Sequence, residues 1–394
     1  MKPSVQTRIS RKFHDKGVRM PRRWIIGALL LSATLAVPAA GASALSTNHT
    51  TNYDRGYDYI HDEVPNIPWS FHIIKLERGR RDFEFCTTLG KGKTLGMATV
   101  SEQLKNFTSE DQPVAAINGD FYHNTATYPG DPRDLQIHQG ELISAPRGHA
   151  CFWMDSMGNP HMTNIESRFR VIWPDGKTTP FGLNEERQAD QAVLYTSAIG
   201  ASTRTGAGRE FVLATESSRS QLKAGEIRQV RIREIREKGN TLLTPETMVL
   251  SIAPDLLQTL PKLTPGSTAQ IAMETIPDLS GVQVAIGGGP TLVRNGQAME
   301  WTGFQMRHPR VAIGWNDNFI FLVEVDGRQR ALSVGMTFPE LASYMVKLGC
   351  KEAMNMDGGG SATLWVCGNV INSPSEGKER PGANALVVLH KKAK

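Results

Sequence analysis

Two aspartates beside glycine are the first candidates for chemistry. Carboxylates can exchange protons with a substrate, attack it or hold a divalent cation. Three consecutive glycines lose more conformational freedom than other residues, which a fold tolerates where the backbone turns with positive φ or where a ligand approaches it closely. The pattern therefore predicts a ligand against Asp357. The two candidate segments are Asn118, Gly119 and Asp120, and Asp357, Gly358, Gly359, Gly360 and Ser361.

Further polar candidates also stand where an apolar run ends. Polar groups at the ends of strands commonly form sites, because a rigid sheet holds the loops that carry them. Each segment taken alone is better explained as an ordinary turn. None has the pattern of a Walker loop, a Gly-x-Ser-x-Gly elbow or a His-Glu-x-x-His helix. The additional candidates are His308, Arg310, Asn355, Asn372, Glu379 and Arg380.

The basic isoelectric point arises at the N-terminus. The whole chain carries a formal charge of +5, whereas residues 45–394 carry −2. Basic residues 1–23 precede the apolar run WIIGALLLSATLAV (24–37) and the small residues AGASA (40–44). This pattern predicts a signal peptide over residues 1–44 and a periplasmic or secreted protein, or a membrane-anchored one if the segment is not cleaved. The near-neutral remainder gives no indication of nucleic-acid binding, and no partner protein is predicted.

Short apolar runs joined by turn residues dominate the rest of the chain. Asp-Gly or Asn-Gly between apolar arms is a strong hairpin signal. It occurs in three segments, and two others follow a similar pattern. The five segments are VIWPDGKTTPF (171–181), LVRNGQAM (292–299), FLVEVDGRQRAL (321–332), LQIHQGELIS (135–144) and CFWMDSMGNPHM (151–162).

Helices are predicted at few places. In TFPELASYMVKLGC (337–350), Thr337 is a suitable N-cap, Glu340 stands at the capping-box position and apolar residues share one face. Weaker helix signals cover residues 99–107 and 253–260. The predicted fold is therefore α+β, with strand-dominated mixed sheets, many hairpins and few helices.

The organisation predicted for the rest of the chain is one domain. Polar, turn-rich residues 45–69 are interpreted as a linker or a surface wrap. No change in composition divides residues 70–390, so they are predicted to form one domain with a central insertion near 165–280.

The four cysteines do not have the spacing of a zinc site. In an exported protein they could form disulfides. If residues 352–357 and 361–367 were the arms of one hairpin, Cys350 and Cys367 would face each other, which would leave Cys86 to pair with Cys151. Free buried thiols are the alternative.

Seven segments together resemble the phosphodiester glycosidase family. The ordered combination is specific, whereas no single segment is. The resemblance covers roughly residues 70–390 and implies that this region is a catalytic domain. The segments are INGDFY, IGGGPTLVRNG, HPRVAIG, VDGR, GMTFPELASYMVKLGC, MNMDGGGSATL and NSPSEGKERPGANAL.

The resemblance implies a hydrolase that cleaves a sugar-1-phosphodiester, such as one of N-acetylglucosamine, into free sugar and a phosphomonoester. The substrate would be such a diester or an envelope glycan. Two carboxyl groups normally flank a glycosidic bond, so Asp357 and Asp120 are the first catalytic pair and Glu379 is the reserve. A phosphate leaving group, with a second pKa of about 6, needs charge stabilisation more than protonation.

The remaining candidates would bind the substrate. Arg310 and Arg380 would hold phosphate through bidentate guanidinium contacts, and His308 would donate or carry a proton. Asn118 and Asn355 would hold sugar hydroxyls or the acetamido group. The rest of the substrate-binding set is Gly119, Gly358, Gly359, Gly360, Ser361 and Asn372.

Two other functions fit the same residues. A metal-dependent phosphoesterase would use Asp120 and Asp357 as ligands of Mg²⁺ or Ca²⁺ and would release sugar phosphate. A non-catalytic envelope polysaccharide-binding protein would bind glycan without turnover. Apart from that possible Ca²⁺ or Mg²⁺, no cofactor and no metal site is predicted.

Overall fold

The structure is a computed structural model that describes residues 47–53, 56–64, 66–108, 112–214 and 221–391. The predicted signal peptide, residues 1–44, lies outside the described residues. Within these ranges, no helix is long and apolar enough to cross a membrane.

Strands form most of the regular structure. The first group, in chain order, is β1 (Thr47–Tyr53), β2 (Tyr57–Val64), β3 (Trp69–Glu77), β4 (Phe83–Thr87), β5 (Gln112–Asn118), β6 (Tyr122–Asn124), β7 (Pro129–Pro132), β8 (Gln136–His138), β9 (Glu141–Ser144), β10 (Arg147–Met154), β11 (Pro160–Ile172), β12 (Thr178–Pro180), β13 (Gly182–Leu183) and β14 (Ala192–Tyr195). The second group is β15 (Ala207–Ala214), β16 (Ile227–Lys238), β17 (Met248–Ile252), β18 (Thr268–Ile276), β19 (Val284–Gly287), β20 (Thr291–Arg294), β21 (Gln297–Ala298), β22 (Arg310–Trp315), β23 (Phe319–Val325), β24 (Glu352–Asn355), β25 (Leu364–Val366), β26 (Asn369–Val370) and β27 (Ala385–His390).

Helices are short. The α-helices are α1 (Val100–Leu104) and α2 (Phe338–Lys347), and 3₁₀ turns cover Ser197–Ile199, Pro254–Thr259 and Gly359–Ser361. The structure is 47% strand and 8% helix, which confirms the strand-dominated prediction. The α+β class is not confirmed, because helices this short do not form a layer of their own beside the sheets.

The strands assemble into three large sheets, one of them nearly closed like a barrel. The eight-stranded sheet has the order β1-β2-β3-β23-β22-β24-β20-β21, and the five-stranded sheet has the order β26-β25-β5-β27-β4. The twelve-stranded sheet runs β13-β14-β17-β15-β16-β18-β11-β10-β19-β8-β9, with β12 paired to β11 and β6 paired separately to β7. The strands described within residues 165–280 all belong to the twelve-stranded sheet. The proposed domain boundaries remain a prediction.

Four of the five predicted hairpins are present as β8–β9, β10–β11, β11–β12 and β20–β21. The prediction for residues 321–332 is wrong. After Val325 the chain forms a loop closed by a bridge between Gln329 and Ser333. The loop forms because Asp326 bonds to other parts of the chain, donating its N–H to Ser70 O at 3.1 Å and accepting from Ser373 N at 2.7 Å.

The best-supported helix prediction is confirmed by α2. Thr337 is the N-cap, and it exchanges hydrogen bonds with Glu340 in a capping box. Leu341 and Met345 are fully buried on the apolar face. Residues 99–107 form the shorter α1, whereas residues 253–260 form only a 3₁₀ turn.

Packing brings the ends of β5 and β24 together. Ile117 of β5, Met354 of β24 and Leu364 of β25 belong to one buried apolar cluster. These strands lie in two different sheets that share this core. The polar residues after β5 and after β24 therefore reach the same edge of the core.

The disulfide interpretation is wrong, because all four cysteines are free. The predicted hairpin of residues 352–367 does not form. Its first arm, β24, pairs with β20 and β22, whereas its second arm, β25, pairs with β5 and β26. Cys350 is consequently buried near α2, while Cys367 is exposed with its Sγ 2.9 Å from Tyr57 OH.

Truncating Leu341, a buried residue on the apolar face of α2, tests how that helix packs against the core. Leu341→Ala should lower the free energy of unfolding by about 2–5 kcal/mol, because it leaves a cavity at a fully buried position. Val346→Ala, on the same helix at a position 36% exposed, is the control and should change stability by less than about 0.5 kcal/mol. Urea unfolding measures both, and equal losses would contradict the burial pattern.

Candidate active site

Asn118 connects the two polar segments. Its Nδ2 donates to Asp357 O at 2.7 Å, and its Oδ1 accepts from Thr363 N at 3.0 Å. Asp357 N donates in turn to Gly119 O at 3.0 Å. These bonds place the end of β5 against residues 357–361, which are called the DGGGS loop from here on. Both polar ends of the Asn118 side chain are thereby bonded to the backbone.

Asp357 lies at the wall of an open cavity of about 520 Å³, a volume in the usual range for small-molecule sites. Burial raises the pKa of its carboxyl. Hydrogen bonds from Ser361 and from Gly358 N–H, and the charges of Arg380 and Arg133, lower that pKa in part. The cavity is lined by Met97, Phe121, Tyr122, Asn124, Asp357, Ser361, Arg380 and Pro381.

The glycines after Asp357 allow close approach of neighbouring groups. A Cβ on Gly358 would lie 2.7 Å from Pro309 O. A Cβ on Gly360 would lie 2.1 Å from Arg380 Nη2. Gly359 has φ +65°, a conformation that favours glycine. The loop is therefore closely packed on its protein side, and Gly360 is the residue that lets Arg380 approach.

Arg380 is held beside the cavity by Glu376. The guanidinium pairs with that carboxylate through Nη2 and through Nε, the latter at 3.3 Å from Oε2. The Glu376 hydrogen bond raises the pKa of Arg380, which stays protonated. Both side chains are substantially exposed, at 38% and 41%, so the guanidinium can exchange this partner for an anionic ligand.

Asp120 lies beneath the cavity and does not line it. Its side chain is fully buried, and burial raises the pKa of the carboxyl well above its ordinary value. Oδ2 accepts from Asp134 N at 2.7 Å. Oδ1 has no hydrogen-bond partner among the residues that the structure describes, and it lies 4.0 Å from Arg133 Nη2. Arg133 packs over the Phe121 ring and also lowers the pKa of Asp357. Arg133 thus acts electrostatically on both predicted catalytic aspartates.

Tyr122 shares the wall of the cavity with Asp357. Burial raises the pKa of its phenol, a Ser361 hydrogen bond lowers it, and the charge of Asp357 raises it further. Ser361 therefore lowers the pKa of both side chains. The Tyr122 hydroxyl also donates to Pro381 O at 3.1 Å.

Arg310 and His308 are not brought to this cavity. The Arg310 guanidinium donates to Met336 O at 2.8 Å and Met306 O at 3.1 Å, and it stacks over Phe338. Burial lowers the pKa of Arg310 to about 10. Burial also lowers the pKa of His308, whose Nδ1 lies 3.2 Å from Arg328 Nη2. Arg310 is buried and does not line the cavity, so its remaining N–H donors are not presented to a phosphate there.

Three further candidates bond to the protein itself. The Glu379 carboxylate accepts from Ser101 N at 3.1 Å, so it caps α1. Asn372 accepts from Leu364 N at 2.9 Å and holds the start of β25. Asn355 is fully buried and donates to Gly289 O at 2.9 Å.

Gly119 is closely packed. A Cβ there would lie 2.1 Å from Asn384 Oδ1.

Sequence reasoning missed Arg133, Tyr122 and Glu376. Tyr122 stands two residues after Asp120, so the INGDFY segment already contained it. Glu376 stands four residues before Arg380, in a segment that was singled out. No sequence pattern singled out Arg133, because it lies in a turn-rich stretch between β7 and β8. Contacts between residues distant in the chain bring it to the site.

Comparison with known proteins supports the resemblance seen in the motifs. The family model described as phosphodiester glycosidase matches residues 226–389, which include the DGGGS loop and Arg380 but not Asp120. A prophage-derived uncharacterized protein of Bacillus subtilis, YomE, is 36% identical over 98 residues, covering 25% of this chain and 15% of that protein. Only a small part of that relative is therefore represented.

Solved structures share the fold. A hypothetical protein from Synechocystis gives a TM-score of 0.71 at 17% identity, covering 87% of this chain and 64% of the other. A Burkholderia pseudomallei protein described as a candidate exported protein gives 0.64 at 22% identity, covering 82% and 74%. The zebrafish N-acetylglucosamine-1-phosphodiester alpha-N-acetylglucosaminidase catalytic domain gives a TM-score of only 0.43 at 15% identity, covering 88% of this chain and 83% of the other.

The raised pKa of Asp357 has a measurable consequence for stability. A carboxyl that binds its proton more tightly when folded loses stability as pH rises from its unfolded pKa through its folded pKa. Asp357→Asn should therefore gain stability relative to the wild type between about pH 4 and about pH 7.5. Urea unfolding at both pH values measures this difference.

Asp82→Asn is the control of opposite sign. The Arg80 hydrogen bond holds the pKa of Asp82 at about 2, so its contribution is present near neutral pH and is lost on acidification. This variant should be less stable than the wild type near pH 7.5, by less than about 1 kcal/mol because the pair is partly exposed. A difference between Asp357→Asn and the wild type that does not vary with pH would show that the Asp357 carboxyl titrates alike in both states.

Proposed function

We propose that this relative of the phosphodiester glycosidases, matched over residues 226–389, is an exported hydrolase of sugar-1-phosphodiesters. The products would be a free sugar and a phosphomonoester, and an N-acetylglucosamine-1-phosphodiester is the first substrate to test. One observation carries the proposal: the Asp357 carboxyl, with a raised pKa, shares the wall of an open cavity with the Arg380 guanidinium.

The charge arrangement suits a phosphodiester. The substrate carries one negative charge, and cleavage leaves a second charge on the departing phosphomonoester. Arg380 lies at the cavity wall, and Arg133 contributes positive potential from beneath. Preorganised positive groups of this kind stabilise charge that develops in the transition state. The Glu376 carboxylate keeps Arg380 in place until the phosphate replaces it.

Asp357 is proposed to act on the anomeric carbon through water. The carboxylate takes a proton from a water molecule while the oxygen of that water attacks the anomeric carbon. The bond between the anomeric carbon and the phosphate oxygen breaks at the same time. The bonding electrons leave with the phosphate, which needs little protonation because its second pKa is about 6. A base whose pKa is raised above the usual aspartate value accepts the proton more readily.

Asp120 is proposed to position Arg133 and not to touch the substrate. It is fully buried, and its unpartnered Oδ1 faces the Arg133 guanidinium at 4.0 Å. A two-carboxylate scheme in which Asp120 touches the sugar would require it to reach the cavity. Arg133 in turn bonds to Gly288 O at 2.6 Å, which fixes its orientation.

Product identity separates this proposal from the alternatives. The purified chain would be incubated with an alpha-N-acetylglucosamine-1-phosphodiester, and products would be identified by mass spectrometry and NMR. Free sugar supports the glycosidase, sugar phosphate supports the metal-dependent phosphoesterase, and binding without turnover supports the polysaccharide-binding protein. Retention of anomeric configuration would indicate two successive displacements in place of direct attack by water, with Asp357 or the substrate's own acetamido group as the first nucleophile.

Asp357→Asn should lower kcat/KM by about 10²–10⁴-fold, because the amide cannot accept the proton. Asp317→Asn is the control, since that carboxylate is 70% exposed and pairs with Lys351 at the surface. Steady-state release of free sugar measures both variants. Full activity of Asp357→Asn would remove Asp357 from the chemistry.

Arg380→Met should lower kcat/KM by about 10²-fold through loss of charge stabilisation. Arg380→Lys should restore part of the activity, because it keeps the charge but lacks the bidentate guanidinium. Arg209→Met is the matched control, since Arg209 forms a similarly exposed pair with Glu237. Near-normal turnover of Arg380→Met would contradict the phosphate contact.

A further inference from the structure

A second polar cluster is buried between strands β3 and β23. His72 of β3 and Glu324 of β23 are direct cross-strand partners. Asp326 follows Glu324 by two residues, so it projects to the same side. The exposures of His72, Glu324 and Asp326 are 6%, 0% and 1%. None of the three lines the cavity of Asp357.

The potential ligand atoms of this cluster are close together. One ligand atom from each of the three side chains lies within 4.8 Å of the others. His72 Nε2 is 3.0 Å from Asp326 Oδ2, and Ser70 Oγ lies 3.0 Å from the same oxygen. Tyr59 OH is 2.8 Å from His72 Nδ1, which leaves Nε2 facing the carboxylates. A hydrogen-bonded distal nitrogen is the usual arrangement for a metal-binding histidine.

Glu324 supplies an independent indication of a ligand. Both of its carboxylate oxygens are buried without a hydrogen-bond partner in the part of the chain that the structure describes. Burial and the nearby charge of Asp326 raise the pKa of Glu324 well above its ordinary value, and the Asn372 amide lowers that pKa in part. The Asn372 Nδ2 donates to Ala362 O at 3.2 Å, so the geometry gives Glu324 no hydrogen bond from it. A bound proton would remove the charge but would still leave the carboxyl without partners. A cation would satisfy both carboxylates and the imidazole lone pair together.

We propose that His72, Glu324 and Asp326 form a buried site for a divalent metal ion, with Ser70 Oγ as a further oxygen ligand. One neutral imidazole and two carboxylates give a ligand charge of −2, which a divalent ion neutralises. Imidazole favours Zn²⁺ and other transition metals, whereas carboxylate and hydroxyl oxygens also suit Mn²⁺. The mixed nitrogen and oxygen set therefore selects Zn²⁺ or Mn²⁺ over Ca²⁺ and Mg²⁺, which prefer oxygen alone.

The metal would hold the segment that carries Arg380. Asp326 Oδ1 accepts from Ser373 N at 2.7 Å, and Gln329 bonds to Ser373 through both its side-chain O and N atoms. Fixing the Asp326 carboxylate thus fixes the start of residues 373–380. The role is structural: the metal would contact no substrate and would take no part in the bond changes proposed at Asp357.

Metal content and metal-dependent stability test the site. The full chain would be produced without a histidine tag, and its metal content would be measured by inductively coupled plasma mass spectrometry. Chelator-treated protein would then be titrated separately with Zn²⁺, Mn²⁺, Mg²⁺ and Ca²⁺ while thermal unfolding is followed. We expect about one equivalent of Zn²⁺ or Mn²⁺ and a rise in Tm of roughly 3–8 °C at saturation.

Substitutions locate the binding. Glu324→Gln and Asp326→Asn should each abolish the bound equivalent and the Tm shift. Glu210→Gln is the matched control: Glu210 is also fully buried, but it accepts from Thr205 Oγ1 at 2.6 Å and Ser251 Oγ at 3.1 Å. This variant should keep the metal equivalent and the shift even if its overall stability falls.

The proposal is overturned by either of two results. One is that none of the four cations binds stoichiometrically or raises Tm, in which case Glu324 is a protonated buried acid. The other is that binding persists undiminished in Glu324→Gln. Neither readout depends on turnover, so failure of the metal site and failure of the proposed hydrolase are distinguishable.

Discussion

The hydrogen bonds of Asn118 are the constraint on which the candidate site depends. They join the end of a strand in the five-stranded sheet to the loop after a strand in the eight-stranded sheet. Each such bond contributes only about 1 kcal/mol to stability. Their importance lies in position, because the Asp357 backbone is fixed by groups that cannot move without disturbing β5. The Asp357 carboxylate is therefore held in place before any ligand binds, so binding would cost it little further conformational entropy.

Charges around the cavity are arranged in two layers. The outer layer is Arg380 with Glu376, which are partly exposed and able to exchange partners. The inner layer is Asp120 with Arg133, where a fully buried carboxylate faces a guanidinium that is oriented by a backbone carbonyl. The outer pair can bind and release an anion. The inner pair is suited to set the potential at Asp357, because burial lowers the screening of its charges.

The DGGGS loop and the strand that follows it connect the cavity of Asp357 with the cluster of His72, Glu324 and Asp326. On one side it presents Asp357 and Ser361 to the cavity. On the other side, residues 372 and 373 connect its neighbouring strand to Asp326 and the His72 cluster. A rigid core between these systems explains how a site built on loops can hold a fixed geometry.

The predictions that the structure confirms depend on interactions between residues close together in the chain. The capping box of Thr337 and Glu340 and the turn residues of four hairpins act within a few residues, so the sequence shows them directly. The prediction for residues 321–332 failed because the partners of Asp326 are distant in the chain. The cysteine pairing failed for the same reason, since β24 and β25 find their partners in different sheets.

The sequence by itself determined the residue types of the candidate site. It showed a carboxylate before three glycines, a second aspartate after a strand, and an arginine-bearing loop near the C-terminus. Only the tertiary structure decided their roles. It placed Arg380 beside Asp357, buried Asp120 beneath them, turned Arg310 toward backbone carbonyls and brought in Arg133. The physical reason is that spacing along the chain governs short-range hydrogen bonds, whereas burial and charge depend on neighbours supplied by the whole fold.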